Sequence, residues 1–328
     1  MTSSSARPVP LLSVLVASYN TRPLLLECLS TLDRNRGDVP LEVIVVDNAS
    51  ADGSADAVAE RFPDVALVRN PVNEGFAKAN NRALRLSRGR YVLLLNPDTL
   101  VPPELLRPMI RLMDEHPEVG VAGCRVDRPD GGLDQACKRS FPTPWNALGR
   151  FLGLDRWLPR LFGGYRRAAD DPRGSYDVDA VVGAFMLVRR ETVEDVGGLD
   201  ESFFMFGEDL DWCFRVKARG WRVWYVGDRG VVHHKGASTR QAPQRMNWHF
   251  HRAMVLFHKK HLTDRYPFFV NWLVYLGISL RYAIKAAIAA VRPKSPRAAL
   301  STADLGLLEA RYGLRLDESA ARKVEIAP

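Results

Sequence analysis

Hydrophobic and polar positions follow two alternating patterns along the first half of the chain. Residues 12–17 and 41–46 are continuous aliphatic runs, which are typical of strands buried on both faces. Between them, Thr21 and Pro23 precede apolar residues at helical spacing, which predicts a helix. Further helices are predicted at 54–62, 75–87 and 103–116, and further strands at 65–68, 91–95 and 119–123. This alternation predicts an α/β fold with a mostly parallel central sheet and helices on both faces.

The pattern changes after residue 124. Residues 125–175 are rich in Pro, Gly, Arg and Trp and show little periodicity, so we expect an irregular excursion with a helix near residues 145–152. Regular structure is then predicted to resume over residues 176–189, where the run GAFMLVRR is typical of a buried strand. A helix at 208–218 and strands at 222–226 and 231–233 are expected to follow.

The C-terminal part of the chain differs again. Residues 268–291 are apolar but contain Asn271, Arg281 and Lys285. The uncharged stretch at 268–280 is shorter than the ~20 residues that a spanning helix needs. Aromatic residues at one end and spaced cations are typical of a helix that lies in the membrane interface. The alternative is a core helix with a solvated basic face. A small helix at residues 302–312 is expected to follow.

Charge is concentrated in this C-terminal part. The 328-residue chain has a net charge of +8, and residues 245–297 contain ten Lys or Arg and one acid, Asp264. The remaining residues are close to neutral, so we expect no nucleic-acid partner. The four cysteines have neither disulfide-scaffold nor zinc-site spacing. The polar first ten residues do not resemble a signal peptide, so a cytoplasmic location is expected.

Polar residues follow three of the predicted strands. The carboxyl ends of parallel strands meet at the edge where ligands bind, so we expect these residues to share a site. Turn formation is the alternative explanation for each group taken alone. The groups are Ser18-Tyr19-Asn20, Asp47-Asn48 and Asn96-Pro97-Asp98-Thr99.

Two of these carboxylates have candidate roles. Asp98 offers a hard oxygen ligand for Mg²⁺ or Mn²⁺, and such an ion can neutralise a departing diphosphate. Asp47 follows the second strand, where an acid often accepts a hydrogen bond from a nucleoside. No GxGxxG motif follows the first strand, which argues against a dinucleotide-dependent dehydrogenase.

A second acidic group stands at the start of a predicted helix. Acids in a first turn complement the helix dipole, but Glu208, Asp209 and Asp211 are close enough to raise one another's pKa. A carboxylate of raised pKa in a cleft is a natural general base. Further along, His233 is followed by His234 and Lys235, and this group could hold a metal or a phosphate.

Taken in order, these motifs resemble those of glycosyltransferase family 2, in the rhamnosyltransferase-like branch that builds bacterial surface polysaccharide. The resemblance covers about residues 11–240. The matching segments are 14–20, 45–50, 52–54, 73–77 with 80–81, 95–99, 183–186, 198–204, 208–215 and 233–238.

The resemblance implies a GT-A fold and an inverting transfer from a nucleotide-activated sugar. dTDP-rhamnose is the favoured donor, ahead of UDP- or GDP-sugars, and the acceptor is lipid-linked or a polysaccharide. The processive QxxRW motif and long transmembrane helices are absent from the sequence, so we expect the addition of a single sugar.

The resemblance also implies roles for individual residues. Asp209 would be the general base, with Glu208 beside it. Asp98 would be the metal ligand of a DxD-type motif whose first acid is replaced by Asn96, and His233 would help to hold the metal or the diphosphate. The other expected donor-binding residues are Ser18, Tyr19, Asn20, Asp47, Asn48, Asn73, Gly75, Asn80, Asn81, Asn96, Gly183 and Ala184.

We therefore expect a GT-A domain at residues 1–240 and a basic helical extension at 241–328. Residues 245–297 of this extension would dock on the inner face of the cell membrane. Two other hypotheses remain. One is a nucleotidyltransferase that activates a sugar phosphate, although it would need a Gly-rich basic loop where this chain has Ser18-Tyr19-Asn20. The other is a non-catalytic sensor of sugar nucleotides.

Overall fold

The computed structural model describes residues 9–146, 165, 170–234 and 242–291. The strands in these residues are β1 (Leu12–Ser18), β2 (Leu41–Asp47), β3 (Ala66–Arg69), β4 (Tyr91–Leu95), β5 (Thr99–Leu100), β6 (Val119–Asp127), β7 (Lys138–Arg139), β8 (Ser175–Asp177), β9 (Ala180–Val181), β10 (Phe185–Arg189) and β11 (Arg222–His233). The helices are α1 (Arg22–Asp33), α2 (Ser54–Arg61), α3 (Phe76–Leu86), α4 (Leu106–Glu115), α5 (Arg190–Val196), α6 (Glu208–Ala218), α7 (Pro243–His261) and α8 (Phe268–Val291), with a 3-10 turn at Thr263–Arg265.

Most of the expected helix at 145–152 and all of that at 302–312 lie outside the described residues, and so do Lys235, Gly236 and Ser238.

Nine of the described strands form one sheet, in the order β3-β2-β1-β4-β10-β6-β11-β5, and β8 also pairs with β11. Six of them run in one direction, and β5, β8 and β10 run in the other. The predicted α/β fold, with a mostly parallel sheet and helices on both faces, is confirmed. The short strands β7 and β9 form a separate antiparallel pair beside this sheet.

The aliphatic runs form the centre of the sheet. Every residue of β1 and β4 is buried, as continuous apolar runs predict for strands covered on both faces. Strand β1 pairs in parallel with β2 and β4, and Ser18 lies opposite Asp47. The carboxyl ends of these three strands therefore meet at one edge, where the polar groups follow them.

Two predicted helices begin later than the sequence pattern indicated. Helix α3 starts at Phe76 because Gly75 has φ +90° and ψ 174°, outside the helical region. Helix α4 starts at Leu106, and Glu104 before it has a left-handed φ of +62°. Apolar periodicity locates a helix along the chain, but backbone geometry at the preceding residues sets its first turn.

Within the segment 176–189, the run that was expected to be a buried strand forms β10, whose five residues are all buried. The shorter strands β8 and β9 precede it. A turn at residues 182–184 separates β9 from β10. The two strands predicted at 222–226 and 231–233 are instead the single strand β11, with a register shift against β6 between Val226 and Gly230. Such bulges are invisible to a simple apolar count.

The C-terminal helices pack against the element that carries the acidic group. Asp211 of α6 is fully buried, and its Oδ1 accepts hydrogen bonds from Lys260 and His261 at the end of α7, both at 2.7 Å. Burial would raise the pKa of Asp211, but these donors and Arg215 hold it below its usual value. Helices α6 and α7 are therefore joined by buried, charge-assisted hydrogen bonds.

Helix α8 packs on α7 through polar contacts. His258 and Asn271 are hydrogen-bonded at 2.7 Å, and Arg281 approaches the His251 ring at 3.4 Å. The segment Phe268–Ala290 is long and apolar enough to cross a membrane by length and composition, and 6% of it is buried. Domain boundaries at residue 240 stay a prediction.

Gly75 lies where two loops of this fold approach each other closely. Its left-handed φ is strained for other residues, and a Cβ would collide with the Phe204 carbonyl oxygen, which accepts a hydrogen bond from Phe76. We expect Gly75→Ala to lower the free energy of unfolding by about 1–3 kcal/mol in urea titrations. Gly37→Ala is the control, because a Cβ there meets nothing within 4 Å. Equal stability of the two variants would contradict this account.

Candidate active site

A cavity of about 1210 Å³ opens at the carboxyl edge of the sheet. Asp98 and Asp209, which are far apart in the sequence, both line it, together with Glu208 and His233. The cavity continues between α7 and α8. The two acidic groups that the sequence singled out therefore face one space.

Asp98 and His233 form a buried pair on one wall of this cavity. Strand β5 pairs with the end of β11, which places Asp98 beside His233, and Asp98 Oδ1 accepts a hydrogen bond from His233 Nε2 at 3.0 Å. The His234 amide also donates to the Asp98 carbonyl oxygen. Burial would raise the pKa of Asp98, but the neighbouring His233 outweighs it and holds this pKa below its usual value. Asp98 is therefore an anion inside the protein.

This pair fits a divalent cation bound together with a substrate. Asp98 offers a carboxylate oxygen and His233 an imidazole nitrogen, both of which are ligands for Mn²⁺, and the carboxylate also suits Mg²⁺. Among the described residues, no group of three or more His, Cys, Asp or Glu side chains is arranged to hold a metal. Two protein ligands suffice where substrate phosphates and water complete the coordination shell.

A short hydrogen-bonded path joins the Asp98 pair to Asp209. The Asn96 amide side chain lies 3.2 Å from His233 Nε2, and the Asn96 backbone amide donates to the Ala184 carbonyl oxygen. Gly183, the residue before Ala184 in this turn, donates its amide to Asp209 Oδ2 at 3.2 Å. The turn between β9 and β10 therefore lies between the two acidic groups.

Asp209 is held in place by a buried ion pair. Its Oδ2 lies 2.7 Å from Arg139 Nη2, which also donates to the Val181 carbonyl oxygen, and its Oδ1 accepts from the Leu210 amide. Burial would lower the pKa of Arg139, but the charge of Asp209 outweighs it and raises this pKa. The Asp209 carboxylate is thus oriented by three donors at the N-terminus of α6.

Glu208 has the opposite environment. Its side chain is buried, and Oε2 has no hydrogen-bond partner among the described residues. Burial, followed by the nearby charge of Asp209, raises the pKa of Glu208 from 4.5 to about 8. Burial therefore favours the neutral form of Glu208, whereas the adjacent Asp209 carboxylate is paired with Arg139.

Most of the expected donor-binding residues line the cavity, and three do not. Those that line it are Ser18, Tyr19, Asn20, Asn48, Asn73, Gly75, Asn96, Gly183 and Ala184. Asp47, Asn80 and Asn81 lie outside the lining.

The side chains of Asn80 and Asn81 form hydrogen bonds within the protein, and Asp47 keeps one buried oxygen without a partner among the described residues. Asn81 ties α3 to the loop that follows α5, because its side chain bonds both the amide and the carbonyl of Leu199. Asn80 donates to the Phe76 carbonyl oxygen. Asp47 accepts from the Ser50 amide through Oδ2, whereas its buried Oδ1 has no partner in the described part of the chain.

The sequence did not single out Arg139, Arg245 or Arg281, all of which line the cavity. Arg139 lies in the irregular segment, where no periodicity marks a buried side chain. The only signal there was the Lys138-Arg139 pair before Phe141 and Pro142. Arg245 and Arg281 were counted only as part of a basic surface, because only the folded structure shows that they line the same cavity as the acids.

Solved structures of similar fold include two sugar-nucleotide enzymes. The mannosyltransferase PcManGT from Pyrobaculum calidifontis, in complex with GDP-Man and Mn²⁺, matches 95% of this chain and 82% of its own with a TM-score of 0.55 and 23% identity. S. aureus TarS 1–349 in complex with UDP-GlcNAc matches 86% and 76%, with a TM-score of 0.53 and 18% identity. These likenesses establish the GT-A fold.

The fold and its acid-lined edge define the class as a glycosyltransferase. Residues 13–197, more than half of the chain, match the family model for glycosyl transferase family 2, and residues 168–284 match that for glycosyl transferase family group 2. The chain belongs to glycosyl transferase family 2. Family membership decides against the nucleotidyltransferase hypothesis and makes the chain an enzyme instead of a sensor.

Two relatives carry rhamnosyltransferase names. The N-acetylglucosaminyl-diphospho-decaprenol L-rhamnosyltransferase of Mycobacterium tuberculosis is 29% identical over 271 residues, which are 78% of this chain and 85% of the relative. Rhamnosyltransferase WbbL of Escherichia coli K12 is 26% identical over 205 residues, 58% of this chain and 73% of the relative. The resemblance to the rhamnosyltransferase-like branch is thereby confirmed.

The raised pKa of Glu208 predicts a pH dependence of stability. The folded protein binds a proton that the unfolded chain releases between pH 4.5 and about 8, so the free energy of unfolding should fall as pH rises through this window. Glu208→Gln has no such proton to lose. In wild type we expect the free energy of unfolding to fall by on the order of a few kcal/mol across this pH range, and in Glu208→Gln we expect this fall to be absent. Urea unfolding at a series of pH values measures both.

Glu60→Gln, which neutralises an exposed acid on α2, is the matched control and should keep the wild-type slope. Identical pH profiles for wild type and Glu208→Gln would show that Glu208 titrates as it does in water.

Proposed function

We propose that this enzyme transfers one rhamnose from dTDP-rhamnose to a lipid-linked acceptor at the inner face of the cell membrane. The observation that carries the proposal is the single cavity in which the Asp98–His233 pair and the Glu208–Asp209 pair meet. The two rhamnosyltransferase relatives support the donor, and the name of the mycobacterial relative supports a diphosphate-linked lipid as the acceptor.

Asp98 and His233 form the donor end of the proposed site. They would hold Mg²⁺ or Mn²⁺, which supplies positive charge next to the diphosphate as the sugar leaves. The Asn96 side chain lies 3.2 Å from the same His233 Nε2 that contacts Asp98. A solved structure of similar fold contains Mn²⁺ and a nucleotide sugar, which is consistent with this assignment.

Tyr19 and Asp47 would bind the nucleoside. They follow adjacent parallel strands, and Tyr19 lines the cavity. The unpartnered Oδ1 of Asp47 is an available acceptor for a ribose hydroxyl or a base amine. The remaining donor contacts would come from the polar side chains that line the same edge.

Asp209 would be the base that removes the proton from the acceptor hydroxyl. It is held as an anion by Arg139, and its three donors fix its orientation. Glu208 beside it is neutral at pH 7 and would donate a hydrogen bond to a substrate hydroxyl. One base and one stabilised leaving group are all that a single in-line displacement with inversion requires.

Residues 245–297 would dock the enzyme on the membrane. This segment contains ten cations, and a cation near an anionic surface contributes ~1 kcal/mol. Helix α8 also exposes apolar side chains outside the cavity, among them Phe269, Trp272 and Ile284. Its contacts with α7 hold it against the protein along part of its length, which favours a helix lying in the interface over one that spans the bilayer.

The proposal is tested by incubating the enzyme with Mn²⁺, a short-chain N-acetylglucosaminyl diphosphate acceptor and dTDP-rhamnose, with UDP- and GDP-sugars as alternative donors. We expect product only with dTDP-rhamnose. Asp209→Asn should lower kcat by about 10²–10⁴-fold with little change in the Kd of the donor, because a general base acts on the acceptor. Preference for another nucleotide sugar would refute the donor assignment.

The pH dependence of turnover tests the choice of base. With Glu208 as the base, activity would rise toward its pKa of about 8. A rise of kcat over this range that is lost in Glu208→Gln, combined with near-wild-type activity of Asp209→Asn, would refute Asp209 as the base.

The metal role of Asp98 is tested separately. We expect Asp98→Ala to raise the Mn²⁺ concentration needed for half-maximal activity and to weaken binding of the dTDP-sugar by about tenfold or more, because the anion that holds the cation is lost. Activity assays over a series of Mn²⁺ concentrations measure the metal requirement, and isothermal titration calorimetry with dTDP, with and without Mn²⁺, measures the change in nucleotide binding. Full wild-type turnover in excess EDTA would remove the metal from the mechanism. Asp114→Ala, on the far end of α4, is the control.

A further inference from the structure

The catalytic cavity has a second part that the chemistry of sugar transfer does not use. Beyond the acidic residues it continues between α7 and α8, and we call this part the helical arm. Its apolar lining consists of Met246, Phe250, Met254, Phe257, Leu273 and Leu276. The arm and the acidic groups belong to one continuous space.

Several apolar side chains of the arm are exposed to solvent. Leu273 and Leu276 are 56% and 48% exposed, and Phe250 is 38% exposed. Contiguous apolar surface of this kind marks a binding site more often than an ordinary surface. A sugar nucleotide does not match it, because neither its sugar nor its phosphates gain from contact with leucine and phenylalanine.

Arg245 lines the cavity next to the loop that leads to the acidic residues. Its guanidinium lies 5.1 Å from the ring centre of Phe204, in the loop that leads to Glu208. Within the described part of the chain, no carboxylate lies within ion-pair distance of Arg245. Arg281 of α8 also lines the cavity. Positive charge therefore lies beside the loop that carries the acids, in the cavity that continues into the apolar arm.

This order of environments matches one kind of molecule. A hydroxyl beside the base, an anionic group beside Arg245 and a hydrocarbon chain in the arm are the successive parts of a sugar linked through phosphate to a lipid. We infer that the helical arm binds the first part of the lipid chain of the acceptor and that Arg245 contacts its phosphate. This inference rests on the proposed function and adds the residues that recognise the acceptor.

Gly277 provides a way to close the arm without disturbing the fold. It lines the cavity in the middle of α8, and a Cβ at this position meets nothing within 4 Å. Leucine is also a better helix former than glycine. A leucine at this position is therefore accommodated by the helix while it occupies space in the arm. Ala287, which is exposed on the same helix and does not line the cavity, is the matched site for an equal gain of apolar bulk.

The experiment compares two acceptors, N-acetylglucosaminyl diphosphate with a short alkyl chain and the same head group with a polyprenyl chain, in the same detergent micelles. We expect wild type to prefer the polyprenyl acceptor in kcat/KM by about tenfold or more, since each buried methylene contributes. Gly277→Leu should reduce this preference, whereas Ala287→Leu should keep it. Since both variants leave the charge of α8 unchanged, a difference between them cannot come from binding to the micelle.

The role of Arg245 is tested with two inhibitors that carry no acceptor sugar, polyprenyl phosphate and uncharged polyprenol. Wild type should bind the phosphate more tightly, and Arg245→Gln should lose about tenfold of that advantage. Lys259→Gln removes an exposed charge from the same helix outside the cavity and should retain it.

The outcomes separate the two proposals. Absence of transfer to both acceptors refutes the proposed function. Transfer to both with equal kcat/KM in wild type, or an undiminished polyprenyl preference in Gly277→Leu, refutes the helical arm as a lipid site while the proposed function stands. Equal loss of phosphate selectivity in Arg245→Gln and Lys259→Gln refutes the contact with Arg245.

Discussion

The buried ion pair between Arg139 and Asp209 is the interaction on which the site depends. Arg139 lies in β7 and also bonds Val181 of β9, while Asp209 begins α6, so the pair joins the small two-stranded sheet to the helix that carries the acids. Removing one partner of such a pair leaves an uncompensated buried charge and costs about 3–5 kcal/mol. The irregular segment before β8 therefore contributes Arg139 to the acidic part of the cavity, and Tyr165 of the same segment also lines it.

This ion pair also explains how two adjacent carboxyl groups can act differently. Arg139 compensates the charge of Asp209, whereas Glu208 has no such partner and becomes neutral through burial and the proximity of Asp209. A site with both groups ionised would repel the diphosphate of its donor. Asp209 on the acceptor side is balanced by Arg139, and Asp98 on the donor side lies beside the His233 imidazole. Negative charge is therefore confined to positions where a neighbouring group can balance it.

The sequence predicted the sheet and its polar edge because both depend on local pattern. Continuous aliphatic runs specified β1, β2 and β4, and the carboxyl ends of parallel strands necessarily brought Asn20, Asn48 and Asp98 to one side. It could not predict the partner of Asp209, because Arg139 lies in a segment without periodicity. Nor could it predict that the Asn81 side chain ties α3 to the loop that follows α5. Pairing between distant residues is set by packing, which no local pattern records.

Asp211 has a consequence for how this enzyme responds to its surroundings. It lies one turn after Glu208 on α6 and is bonded to Lys260 and His261 at the far end of α7. A displacement of α7 must either break these buried bonds or move α6 with it. On the proposed docking of residues 245–297 at the membrane, lateral pressure or curvature in the bilayer would act on α7 and through it on α6, so turnover would depend on the physical state of the lipid as well as on its chemistry.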